Sequence, residues 1–255
     1  MLWIFPDLET LSRAAAALFV RQAQRAIRRS GRFVVALAGG QTPRRAYEWL
    51  AHPLCRDAVA WEAVYVFWGD ERCVPLSDPR SNARMAWEAL LRHVPIPPDH
   101  VYPIVCEGDP ASVAARYEAI LRGFFGETPR FDLVLLGLGE DGHTASLFPF
   151  HPALEEPARW ATGVETMDPP RVTLTFPALN QARWVVFLVA GSSKAVALRE
   201  TLQGAWNPQR WPAQRVRPIR GSRLWMVDQA AAELLRGLKP ASSSASGRAS
   251  TRVDT

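Results

Sequence analysis

The stretch Gly137-Leu-Gly-Glu-Asp-Gly-His-Thr-Ala-Ser-Leu-Phe-Pro149 decides how this chain reads. Before it runs Phe131-Asp-Leu-Val-Leu-Leu136, with the length and apolar character of a buried parallel strand. Glycines then turn the backbone and bring Asp141 and His143 close together in sequence. Open α/β sheets bind ligands just beyond the carboxyl ends of their strands. The turn therefore sets an acid and a histidine where such folds do chemistry, and histidine is the side chain best suited to moving protons near neutral pH.

Gly137, Gly139 and Gly142 also spell G-x-G-x-x-G, the pattern of a dinucleotide site. That fingerprint should open a long helix and be followed, about 20 residues on, by an acidic residue ending the next strand. Here Pro149 and Pro152 interrupt the segment after little more than two turns, and no strand ends in Asp or Glu at that distance. The pattern favours a Gly-rich loop over a nucleotide cradle.

Strand and helix signals alternate on either side of this loop. Asp7 caps a helix over 7–29 that Gly31 stops. Strands are expected at 33–38, 64–68, 101–105, 171–175, 184–190 and 224–227. Helices are expected at 43–51 (Thr42 as N-cap, Pro43 at the first position), 82–92, 110–125, 177–181, 192–202 and 228–237. The N-terminal Met-Leu-Trp-Ile-Phe lacks the basic flank of a signal peptide and reads as an edge strand. This alternation predicts an α/β fold: a Rossmann-like, mostly parallel sheet flanked by helices on both faces. With no internal repeat and no clear linker, residues 1–239 are expected to form a single α/β domain. Residues 240–255, rich in Ser, Ala and Arg, are expected to be a disordered tail.

Composition narrows the function classes. At 255 residues, 48% hydrophobic and 22% charged, the chain is ordinary for a globular protein, and no apolar run approaches the length needed to span a membrane. The net charge is +5, but the arginines are dispersed rather than clustered with aromatics, so no nucleic-acid partner is expected. A basic pocket for a small phosphorylated anion is an equally good use of that charge. Cys55, Cys73 and Cys106 show no C-x-x-C spacing; they are expected to stay unpaired, without a zinc site, in a cytoplasmic protein.

Four further constellations fall at strand ends. Gly39-Gly40-Gln41-Thr42-Pro43 links a strand to a helix N-terminus, whose free N–H groups suit a phosphate or carboxylate as well as an ordinary capped turn. Gly69-Asp70-Glu71-Arg72-Cys73-Val74-Pro75, closed by Ser81-Asn82, is a long charged loop after an apolar strand, and Asp70 and Arg72 are candidates to meet a ligand. Arg171 opens the strand Arg171-Val-Thr-Leu-Thr175, either as an exposed flanking residue or as a phosphate contact. Lys194, in Gly191-Ser-Ser-Lys194-Ala195, falls in the first turn of a helix, where a cation opposes the dipole unless an anion offsets it. No G-x-S-x-G elbow and no H-E-x-x-H motif is present, so neither a serine nucleophile nor a metal is expected.

In their order and spacing these pieces resemble the 6-phosphogluconolactonase family, within the wider glucosamine-6-phosphate isomerase/6-phosphogluconolactonase superfamily. The resemblance runs from about residue 5 to 237, and its most specific part is Asp141-Gly-His-Thr-Ala-Ser-Leu-Phe-Pro149. It implies hydrolysis of 6-phosphoglucono-δ-lactone to 6-phosphogluconate in the oxidative pentose phosphate pathway, without metal or cofactor. The partner it implies is a small phosphorylated sugar lactone, and the protein is expected to be a monomer or weak homodimer. It also implies catalytic roles for His143, Asp141 and Arg72, and substrate or phosphate binding by Gly39, Gly40, Thr42, Asp70, Arg171 and Lys194. The deaminating isomerases carry a glutamate just before the proline, where this chain has Phe148, which cannot transfer a proton. The first loop has Gln41 where the family has a small hydroxyl residue. The rival readings are a sugar-phosphate isomerase and a non-catalytic sugar-phosphate sensor.

Overall fold

The computed structural model describes residues 1–165 and 167–237. Six parallel strands form the main sheet: β1 (Leu2–Phe5), β2 (Phe33–Leu37), β3 (Val64–Trp68), β5 (Leu133–Leu136), β8 (Trp184–Val189) and β9 (Ser222–Asp228). Their spatial order is β1-β9-β8-β5-β2-β3. A smaller antiparallel sheet has the order β4-β7-β6, from Asp70–Arg72, Arg171–Leu174 and Ala161–Val164. The helices are α1 (Leu8–Ser30), α2 (Gln41–Ala51), α3 (Pro53–Arg56), α4 (Asn82–Ala89), α5 (Pro110–Phe125), α6 (Phe176–Leu179), α7 (Ala195–Gln203) and α8 (Gln229–Ala232).

The central strands follow from their side chains. β2 (FVVAL) and β5 (LVLL) are buried at every position. Successive residues of a strand face opposite ways, so both faces of the sheet must be covered, as continuous apolar runs require. From β2 the chain steps outward to β3, then returns through β5 on the other side of β2 and continues through β8 to β9. The order therefore reverses between β2 and β5. A crevice opens at such a switch point, and its walls are the loops after β2 and β5, the two Gly-rich stretches of the sequence.

Strand ends near this crevice are fixed by buried phenols. The Tyr47 hydroxyl donates to the Ala38 carbonyl and accepts from the Ala38 N–H, both at 2.9 Å. The Tyr117 hydroxyl does the same at Trp68, at 3.0 and 2.9 Å. Burial pushes both phenols far above their ordinary pKa, so each keeps the proton that this double role needs. α1 begins as its sequence dictates: the Asp7 carboxylate accepts from Thr10 N–H at 2.7 Å, a cap worth about 1 kcal/mol, and Gly31 closes the helix in the left-handed region.

Several sequence expectations need correction. Thr42 is not an N-cap: α2 starts two residues earlier than expected, at Gln41, Gly40 occupies the cap position, and no side chain caps it. Residues 101–105 form no strand; only Val101 bridges to Val66, and the chain then turns away past Cys106. The charged triplet 70–72 is a strand, not a loop, because its backbone finds β7 as a partner 100 residues on. The cysteines are not all unpaired: Cys73 and Cys106 form a disulfide with their Cα atoms 5.0 Å apart, and Cys55 is free. A pairing across 33 residues leaves no local spacing for a sequence reading to find. The tail expected over 240–255 lies outside the described residues. Among the described residues no helix is long and apolar enough to cross a membrane.

Candidate active site

A cavity of about 400 Å³ opens at the β2/β5 switch point. The loop after β2 contributes Gly39, Gly40, Gln41 and Thr42, and β4 contributes Asp70 and Arg72. The loop after β5 contributes His143, while Arg171 and Lys194 complete the wall. Eight of the nine residues singled out from the sequence thus line one cavity. The ninth, Asp141, sits behind His143 rather than on the wall.

The acid–histidine pair is built by the tight turn 139–143. Gly139 N–H donates to the His143 carbonyl at 2.8 Å, and Gly142 N–H to the Gly139 carbonyl at 3.0 Å. This folds the imidazole back over Gly139, where a Cβ would lie 2.0 Å from His143 Nδ1, so only glycine fits. His143 Nδ1 lies 2.6 Å from Asp141 Oδ1, which also accepts from His143 N–H at 3.1 Å. A carboxylate only accepts, so the shared proton sits on Nδ1, and in the neutral imidazole Nε2 keeps its lone pair. Burial raises the Asp141 carboxyl, but the hydrogen bond from His143 and the imidazole charge outweigh it and hold the carboxyl below its ordinary value. Phe148 packs against the imidazole, ring centroids 4.5 Å apart.

The opposite wall has a different chemistry. Glu71 is 1% exposed, and its carboxylate accepts from four donors: Arg72 N–H, Asn82 N–H, Ala83 N–H and the Ser81 hydroxyl, at 2.7–3.0 Å. Burial still pushes its pKa up, against the pull of the three backbone N–H groups. Glu71 thereby holds the first turn of α4 against β4. Asp70, also buried, accepts from the Ser146 hydroxyl at 2.6 Å and from Asn82 Nδ2 at 3.3 Å, tying β4 to the 137–149 loop. The sequence reading missed the bracing roles of Glu71, Ser146 and Asn82; the signal was the charged triplet beside Ser81-Asn82, read there only as a ligand loop.

Arg72 and Arg171 are directly paired across β4 and β7. Like charges in that relation destabilise a sheet. Arg72 Nη1 donates to Asn82 Oδ1 at 2.5 Å and to the Arg80 carbonyl at 2.9 Å. The Nε groups of Arg72 and Arg171 are buried without a hydrogen-bond partner. Burial, then the neighbouring Arg72 charge, lowers the Arg171 pKa, and no carboxylate forms a salt bridge with Arg171 among the described residues. The Asp70 and Glu71 carboxylates raise it in part, but both spend their hydrogen bonds on Ser146 and the start of α4 rather than on Arg171. Lys194, at the start of α7, lies 3.7 Å from Glu140 and adds a third cation to the cavity. Three convergent cations, hydrogen-bonding backbone at the mouth of α2 and an imidazole with a free nitrogen can hold a phosphorylated molecule and move a proton on it. Among the described residues no group of three or more His, Cys, Asp or Glu side chains is arranged to hold a metal ion.

Comparison with known proteins agrees with this chemistry. The family model described as glucosamine-6-phosphate isomerases/6-phosphogluconolactonase matches residues 6–225. A 6-phosphogluconolactonase of Synechocystis sp. is 47% identical over 217 residues, covering 83% of this chain and 88% of the relative. One from Nostoc sp. is 39% identical, covering 89% and 95%. The solved structure of 6-phosphogluconolactonase from Trypanosoma brucei superposes with a TM-score of 0.79 at 32% identity, covering 92% of this chain and 98% of that one.

Proposed function

Because this chain belongs to the glucosamine-6-phosphate isomerase/6-phosphogluconolactonase family, we propose that it hydrolyses 6-phosphoglucono-δ-lactone to 6-phosphogluconate. The observation that carries this reading is the Asp141–His143 pair at one cavity with Arg72, Arg171 and Lys194, three cations that line its wall.

In this mechanism Gly39, Gly40, Thr42, Arg171 and Lys194 hold the phosphate, with backbone N–H groups serving where Gln41 replaces a hydroxyl. Asp70 has acceptor capacity left beyond its two bonds and meets the sugar hydroxyls. A water attacks the lactone carbonyl and gives a proton to His143 Nε2 as its oxygen bonds to carbon. Asp141 stabilises the imidazolium, and Arg72 stabilises the oxyanion. The oxyanion then collapses, the bond from the carbonyl carbon to the ring oxygen breaks, and that oxygen takes the proton from Nε2. Proton transfer of this kind contributes about 10²–10⁴-fold.

Phe148 favours hydrolysis over isomerisation, because the aromatic ring beside His143 has no proton to give. We place the reaction in the oxidative pentose phosphate pathway, in the cytoplasm, with residues 1–239 as one catalytic unit, monomeric or weakly dimeric. The Cys73–Cys106 disulfide removes the cysteine-based argument for that compartment, so the placement rests on the reaction. The test is hydrolysis of freshly made lactone, with the spontaneous rate subtracted, beside fructose-6-phosphate release from glucosamine-6-phosphate. Acceleration of the first reaction alone is expected. Acceleration of the second alone would overturn the reading in favour of an isomerase, and phosphate-dependent binding without turnover would favour a sensor.

A further inference from the structure

The two side chains of the proposed proton relay are separated by Gly142, whose φ is +85°. Glycine is the loosest link a backbone offers, yet Asp141 and His143 must keep a 2.6 Å contact across it. The turn's own hydrogen bonds leave two carbonyls between the pair, those of Asp141 and Gly142. Both are taken by one distant segment. Arg210 Nη1 donates to the Asp141 carbonyl at 2.9 Å, and Ala213 N–H donates to the Gly142 carbonyl at 3.2 Å. Between these contacts the Trp211 ring lies so close to Gly142 that a Cβ there would be 2.5 Å from Trp211 Cε3. The Arg210 guanidinium stacks on the same ring, 4.1 Å from its centroid.

The segment that reaches over is itself fixed from beneath. Gln214 is buried, and its amide group donates to the Glu200 and Ala205 carbonyls, both at 2.9 Å, and accepts from Asn207 N–H at 2.7 Å. Asn207 in turn accepts from the N–H groups of Arg210 and Trp211 through its carbonyl, at 3.1 and 2.8 Å. The Gln209 carbonyl accepts from Phe150 N–H at 2.9 Å, so the same segment also holds the far end of the 137–149 loop.

We propose that Arg210 is a positioning residue: held by the Gln214 scaffold and stacked on Trp211, it fixes the peptide between Asp141 and His143 and so sets the imidazole for proton transfer. This rests on the lactonase reading above. Arg210 does not line the cavity, so it acts through the pair and not on the substrate.

The test compares Arg210→Ala and Arg210→Lys with wild type and His143→Ala. Turnover of fresh 6-phosphoglucono-δ-lactone is measured together with the low-field imidazole Nδ1–H proton signal of the substrate-free protein, assigned by its loss in His143→Ala. Arg210→Ala is expected to lower kcat about tenfold with KM within about twofold, since a small misplacement of a reacting group is costly while ground-state binding is spared. The low-field signal should weaken or vanish. Arg210→Lys keeps a single donor and should recover kcat to within about threefold of wild type. An unchanged kcat and proton signal in Arg210→Ala would overturn the proposal, as would an equal loss in Arg210→Lys, or a rise in KM with kcat intact. If His143→Ala itself turns over normally, the lactonase mechanism fails instead. The proton signal then reports separately whether Arg210 positions the pair.

Discussion

Two segments flank β2 at the mouth of the crevice, both rich in acid and base, and they end in opposite states. In β4, which follows β3, the Glu71 carboxylate is 1% exposed and saturated by four donors. In the loop after β5, the Asp141 side chain is 45% exposed, and its side-chain hydrogen-bond partner is one imidazole. In the sequence the first stands out by its three adjacent charges. The difference lies in how many protein donors each carboxylate meets. A saturated carboxylate is a structural tie; a carboxylate whose side-chain partner is one imidazole is suited to the proposed relay. Between them, Arg72 and Arg171 stand side by side, each with a buried Nε that has no hydrogen-bond partner.

The contrast can be broken at either end. Glu71→Gln should cost the most stability. The amide presents N–H groups to donors that a carboxylate oxygen had accepted, and leaving buried donors unpaired costs about 2–3 kcal/mol. Chemical unfolding should show that loss, with turnover per folded molecule changing little; an unchanged midpoint would show that Glu71 is not the tie between β4 and α4. Asp141→Asn should do the reverse, lowering kcat by about 10–100-fold, because an amide can favour the wrong imidazole tautomer, while the stability lost near neutral pH is well below that of Glu71→Gln.

Acid titration sharpens the same point. The folded Asp141 carboxyl is lowered, so its contribution to stability is present above the unfolded carboxylate pKa and is lost as pH falls through the folded value. Asp141→Asn should flatten that acid limb. An acid limb identical to wild type would place the sensitive carboxylate elsewhere. Lys194→Ala should have the smallest effect of the set, raising KM about tenfold through lost phosphate anchoring, with a smaller fall in kcat. Unchanged kinetics would remove Lys194 from the phosphate site.

Much of this contrast was legible in the sequence where the cause is local. α1 announces itself through Asp7 and Gly31, β5 through its apolar run, and the relay through glycines that only a tight turn explains. Eight of the nine site residues meet in one cavity because α/β topology sends strand ends to one edge. What stayed hidden depends on distant partners. β4 carries no alternating pattern, and only β7 makes it a strand. Glu71 became a tie because Asn82 and Ala83 fold back onto it. Cys73 meets Cys106 across a stretch that contains α4, and the segment around Arg210 shows no pattern of its own because its meaning lies in the Asp141 carbonyl.

The central claim is that the loop after β5 does the chemistry and β4 holds the fold. The most direct test is lactone turnover and thermal unfolding measured together on His143→Ala. The account predicts a fall in turnover of about 10²–10⁴-fold with a melting temperature close to wild type, because the imidazole is partly exposed and carries little of the fold. Turnover near the wild-type rate in a well-folded His143→Ala protein would contradict it.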